Sequence, residues 1–218
     1  MAVNDKGRPT GYTTYAYFAG HQQFTQVVND LCAKGGVQGL REDAHVTIMY
    51  GPTIAHGEHE VVGPGAVESV LGPIDTSFLP LHPMRWDVSG VSVWDRRPMG
   101  GRAIVKIGLA AGTPIDMLRR ALHQQVPGQV EYLRGRHEQV CEVAKAHPDL
   151  YDTSYTLIDS AQWAHITIGI AETDAEIAKL CTIAETACAY LGSEIAVNRI
   201  ALLSAVTDTP HDLWTAKD

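Results

Sequence analysis

Ala44-His45-Val46-Thr47-Ile48 and Ala164-His165-Ile166-Thr167-Ile168 are near copies of one another within a single chain. Both are short and rich in β-branched residues, as strands are. Side chains of a strand alternate between its two faces. His45 and Thr47 therefore share one face, and Val46 and Ile48 point to the other. His165 and Thr167 repeat the arrangement against Ile166 and Ile168. Each strand is expected to pack its aliphatic face on helices and to present one imidazole and one hydroxyl to a polar face.

Working outward, each copy sits in a similar setting. Before the first, residues 11–19 are aromatic and β-branched and read as a strand. Phe24, Val27, Val28, Leu31 and Cys32 then recur at helical spacing until Gly35-Gly36 ends the run. After the second copy, Thr173 and Glu176 have the spacing of a capping box. Ile177, Leu180, Cys181, Ala184, Cys188 and Leu191 form a helical stripe closed by Gly192. A final strand is expected over 194–206. Between the copies, 84–94 and 102–109 read as a hairpin across the turn at 96–101, and Thr113-Pro114 starts a helix. Residues 51–83 are rich in Gly, Pro and His and read as loop, with one short helix near 66–71. Residues 128–162 read as an insertion with the character of a lid. No linker divides the chain, so 1–218 is expected to be one α+β domain.

Composition narrows the function. The chain has 218 residues, 45% of them hydrophobic, and a net charge of −8. The hydrophobic share is that of a globular core, and the acidic balance offers no basic field for long duplex nucleic acid. Neither a signal-peptide core nor an apolar run of membrane-spanning length is present. The four cysteines lack Cys-x-x-Cys spacing. A soluble, cytoplasmic protein is expected, and its oligomeric state is open.

The paired motifs suit a definite chemistry. Splitting a phosphodiester needs a proton taken from the attacking oxygen and one given to the leaving oxygen. Imidazole titrates near neutrality and serves either role, so two histidines flanking one phosphate act as base and acid together. Hydroxyls two residues along can donate to the non-bridging oxygens where charge builds up. No metal or other cofactor is then required. The competing reading is two separate core-edge histidines, each bonded to nearby backbone.

The two His-x-Thr strands, and the order of elements around them, resemble the 2H phosphoesterase superfamily. That superfamily includes LigT-like RNA 2′,3′-cyclic phosphodiesterases, RNA 2′,5′ ligases and phage anti-CBASS nucleases that destroy cyclic oligonucleotide signals. The resemblance implies a two-lobed fold, with two small antiparallel sheets backed by helices around a central cleft. It implies an acid/base pair, His45 and His165, and phosphate-binding hydroxyls on Thr47 and Thr167. It also implies a small nucleotide substrate: a cyclic oligonucleotide or, alternatively, an RNA end. A protein that sequesters a nucleotide without cutting it is the non-enzymatic alternative.

Aromatic faces stack on bases at about 1–3 kcal/mol each. Tyr12, beside Tyr15 and Tyr17, and Trp86, with Trp94, are therefore candidate base contacts, although each is equally suited to a core. Lys106 and Arg102 share strand parity and are candidate phosphate contacts. His56 and His59 have His-x-x-His spacing near His82, but a glycine-rich loop gives them no common face, so no metal site is assigned.

Overall fold

The structure, a computed structural model, describes residues 12–50, 76–95, 97, 101–110, 114–115, 117–118, 121, 164–204 and 210–217. The proposed insertion at 128–162, most of the 51–83 loop, and His56 and His59 lie outside the described residues.

The aromatic, β-branched start forms β1 (Tyr12–Phe18), and the periodic run after it forms α1 (His21–Gly35). Gly36 caps α1 in the left-handed conformation, with φ 64°, which glycine adopts without a Cβ clash. Then come β2 (Val46–Tyr50), β3 (Met84–Asp95), β4 (Ala103–Ala110) and β5 (His165–Ala171). The capping box is made: the Thr173 hydroxyl accepts from the Glu176 backbone N–H, and Glu176 returns to the Thr173 N–H. It opens α2 (Asp174–Leu191), which leads into β6 (Glu194–Ser204). A further strand, β7 (Pro210–Thr215), follows where the sequence was expected to end in one strand.

The sheet corrects the expectation of two small sheets. All seven strands belong to one antiparallel sheet in the order β1-β2-β5-β4-β3-β6-β7, and β1 also pairs with β6. Six strands therefore close on themselves, and β7 extends β6 outside the ring. The physical reason is that β6 is long. Its first part, from Glu194 to Val197, pairs with β3, and its later part, from Arg199 to Leu203, pairs with β7. Its other edge pairs with β1 along nearly the whole of that strand. The seam that completes the ring is narrow: β2 meets β5 through the single pair Val46↔Ile166.

One face of this sheet is the core. Ala16, Phe18, Val46, Ile48, Val105, Ile107, Ile166 and Ile168 are buried together with Phe24 and Val28 of α1 and Leu180, Ala184 and Ala187 of α2. Cys32 belongs to this core, and Cys181 and Cys188 pack against it, as small apolar residues do. Because the helices cover that face from outside, the opposite face turns toward the inside of the ring. A bulge in β5, where Lys106 pairs with Thr167 and Val105 with Gly169, brings Gly169 against α2. A Cβ at Gly169 would lie 2.6 Å from Leu180 Cδ2. Gly169→Ala is expected to cost about 1–3 kcal/mol by overpacking, read as a lower denaturant midpoint with unchanged slope.

Candidate active site

The register at the seam decides where the motifs point. Val46 and Ile166 lie directly opposite one another, and opposite residues of an antiparallel pair share a face. Both are buried, on the helix-covered side. Their neighbours must therefore share the other face. The same register sets His45 across from Thr167 and His165 across from Thr47. Continued by one residue to either side of that pair, a regular ladder makes the His45 and His165 positions diagonal neighbours, about 7–8 Å apart. All four residues are partly exposed, unlike the aliphatic residues between them. The strand order places the two motif strands side by side; the local backbone bond of the competing reading is present at His45, to the Asp43 carbonyl.

The rows continue to either side. Thr47 pairs with Tyr15 of β1. The Tyr15 ring stacks on His45 with centroids 3.7 Å apart and planes inclined by 26°. Tyr17 approaches the same imidazole edge-on, at 6.4 Å. On the β4 side, Lys106 lies opposite Thr167 and Gly108 opposite His165. The Lys106 ammonium sits 5.9 Å from the Trp94 ring centre. Burial pushes this ammonium below the ordinary lysine value, because a low-dielectric setting disfavours charge.

His45 is held by backbone as well as by stacking. Its Nδ1 is 2.7 Å from the Asp43 carbonyl oxygen. A carbonyl only accepts, so Nδ1 carries the hydrogen of this bond and Nε2 is the ring nitrogen left for other partners. The segment before β2 is anchored to α1. The Thr25 hydroxyl donates to the His21 carbonyl and accepts from the Ala44 N–H, both at 2.7 Å. His21 Nδ1 lies 2.9 Å from the Phe18 carbonyl, and its Nε2 is 3.9 Å from the Asp43 carboxylate. Thr25→Val would leave the buried Ala44 N–H without its acceptor, at a cost of about 1–3 kcal/mol. A lowered melting temperature and a loss of turnover larger than the change in KM are the expected readouts.

The remaining sequence candidates divide. Lys106 faces the motifs. Trp86 does not: it is 1% exposed and belongs to the core. Trp94, at the same strand parity, pairs with Ile104 on the site face. The cause is a bulge between Val88 and Gly90 that inverts the alternation within β3. Tyr12 pairs through its backbone with Ser204, and its side chain is not among those described. Arg102 is exposed and bonded to Glu172 at 3.2 Å, so it serves the strand end. Sequence reading did not single out Tyr15, Thr25 or Asp43 as partners of the motif. For Tyr15 the signal was present in its alternation with Ala16. For Thr25 there was none, because its bond to Ala44 depends on how α1 packs; the Asp43 carbonyl reaches His45 locally, two residues away.

Among the described residues no cluster of three or more His, Cys, Asp or Glu side chains is placed to hold a metal, and no helix is long and apolar enough to cross a membrane. The chain is similar in structure to Kluyveromyces marxianus Usb1, with a TM-score of 0.45 and 11% sequence identity over 94% of this chain and 98% of that one. No protein-family model and no curated protein matches the sequence.

Proposed function

We propose that the protein is a 2H-type phosphodiesterase that cleaves a phosphodiester bond in a small nucleotide with His45 and His165 as its acid/base pair. The observation that carries this reading is the Val46↔Ile166 pairing, which turns both His-x-Thr motifs to one face. A phosphate between the imidazoles would receive hydrogen bonds from the Thr47 and Thr167 hydroxyls. One imidazole takes the proton of the attacking hydroxyl or water as its oxygen bonds to phosphorus. The other protonates the leaving oxygen as its bond to phosphorus breaks. The hydroxyls hold the non-bridging oxygens where negative charge grows. Lys106 would add a cation beside Thr167 without the hydration of a surface lysine.

The substrate class we favour is a cyclic di- or oligonucleotide. A net charge of −8 does not suit a long polyanion, whereas Tyr15, Tyr17 and Trp94 border the motif face as aromatic surfaces. The test is incubation with 3′,5′-linked cyclic dinucleotides and with oligonucleotides ending in a 2′,3′-cyclic phosphate, each with EDTA. Cleavage of the cyclic dinucleotides in EDTA is the expected result. Cleavage of the RNA ends alone would move the reading to RNA end processing. Recovery of every ligand intact after tight binding would identify a sequestering protein and contradict catalysis.

A further inference from the structure

One row of residues crosses the motif face of the sheet and carries a cation at each end. Lys106 of β4 lies opposite Thr167 of β5, and Arg199 of β6 lies opposite Tyr17 of β1. The pairs Val46↔Ile166 and Ala16↔Val46, each continued by one residue, set His45 between Thr167 and Tyr17. The Tyr17 ring is accordingly close to the His45 ring, at 6.4 Å. We propose that Arg199 binds a second phosphate of the substrate, next along the chain from the one held by the motifs, so that the site selects nucleotides carrying at least two phosphates. The assignment rests on the two-histidine reading above and deepens it by naming the substrate class.

Arg199 stands at the right remove. Neighbouring strands are about 4.8 Å apart, so two strands separate it from His45 by about 10 Å along the sheet. The residue between them is Tyr17, and the Arg199 guanidinium carbon lies 5.4 Å from that ring's centre. Room for one nucleotide unit is thus left between the motif and the guanidinium, with Tyr17 as its floor.

The guanidinium is also held ready. Its Nε and Nη2 both donate to one carboxylate oxygen of Asp212 on β7, at 2.7 Å. That engages only part of the five-donor fork, and among the described residues no bond to Nη1 is present. The side chain is 33% exposed, open to a ligand yet fixed in plane by its two neighbours. A planar fork of this kind matches a phosphate in geometry and charge. The Asp212 carboxylate opposes an anion here, and that opposition supplies an independent test. A net charge of −8 gives long polyanions no general attraction, whereas cations placed along one row suit a short substrate with few phosphates.

The probes are adenosine 3′-phosphate and adenosine 5′-phosphate, with one phosphate each, and adenosine 3′,5′-bisphosphate, with two one nucleotide apart. Binding is measured by calorimetry at several salt concentrations. The parent protein should bind the bisphosphate about 10- to 100-fold more tightly than the better monophosphate, the range expected of one charge-assisted contact. Arg199→Gln should remove most of that margin and reduce the salt slope of bisphosphate binding by about 1. Asp212→Asn, which keeps an acceptor oxygen and removes the charge, should widen the margin. An ion pair that only ties β6 to β7 gives a different pattern: both variants melt earlier, while the margin and the salt slope stay as in the parent. That pattern overturns the assignment, and so does a parent that binds the bisphosphate no better than the monophosphates. Either result leaves the two-histidine reading standing. Failure to bind any of the three nucleotides contradicts a nucleotide site on this face, and the two-histidine reading with it.

Discussion

Replacing His45 or His165 by alanine is expected to lower turnover of an alkoxide-releasing phosphodiester by at least about 10²- to 10⁴-fold, the usual contribution of one positioned acid or base. The two losses should not add. Once one proton transfer fails, the other has little left to accelerate, so the double variant should be close to the worse single variant. The fold should survive each change, because both rings stand on the partly exposed face and the core beneath them is made by Val46, Ile48, Ile166 and Ile168. Circular dichroism and a melting curve on each variant check this. A variant that is inactive yet melts with the parent places the defect in chemistry. A variant that has unfolded says nothing about it, and His45→Gln and His165→Gln, closer in shape, then take its place.

Trp86→Ala is expected to have the largest effect on stability, about 3–5 kcal/mol. Trp86 is 1% exposed on the core face of β3, where its strand is paired to β6 through Ile195. Removing the indole leaves a cavity that surrounding Ile, Met and Leu side chains fill only in part. For a chain of this length the melting temperature should fall on the order of 10 °C. A substrate-stacking role would give the opposite pattern: weaker substrate binding with an unchanged melting temperature. Comparing Trp86→Ala with Trp94→Ala separates the two roles on one strand. Trp94→Ala should weaken binding with a small effect on stability.

Those two tryptophans also show what sequence reading reaches and where it stops. Local patterns carried far: the alternation in the two motif strands, the helical spacing from Phe24 to Cys32, and the Thr173–Glu176 box all fold as their chemistry suggests. Trp86 and Trp94 share parity, so a uniform strand would place them on one face. The bulge after Val88 separates them, and its one sequence signal is Gly90, a glycine inside the strand that takes φ 104° there. β7 was missed because Pro210-His-Asp-Leu-Trp-Thr215 alternates poorly and begins with a residue that donates no backbone bond. Trp214 of that strand instead donates its indole N–H to the Pro80 carbonyl, at 2.9 Å, a contact set by tertiary structure.

The closure of the ring was beyond reach for a similar reason. It depends on β6 being long enough to serve three neighbours and on one residue pair between β2 and β5. Such pairings join segments remote in sequence and leave no periodic trace. The site was legible because its four side chains come from two local motifs. The stack of Tyr15 on His45 was not, because it arises only through the pairing of β1 with β2.

The most direct measurement follows the imidazole Cε1–H resonances of His45 and His165 by NMR while uridine–vanadate, a mimic of the five-coordinate phosphorus, is titrated in. The two alanine variants identify these signals among the ten histidines. Both resonances are expected to shift along one binding curve, and either alanine variant should abolish tight binding. Binding that moves only one of the two signals, or neither, would mean that no single phosphate is shared between the rings.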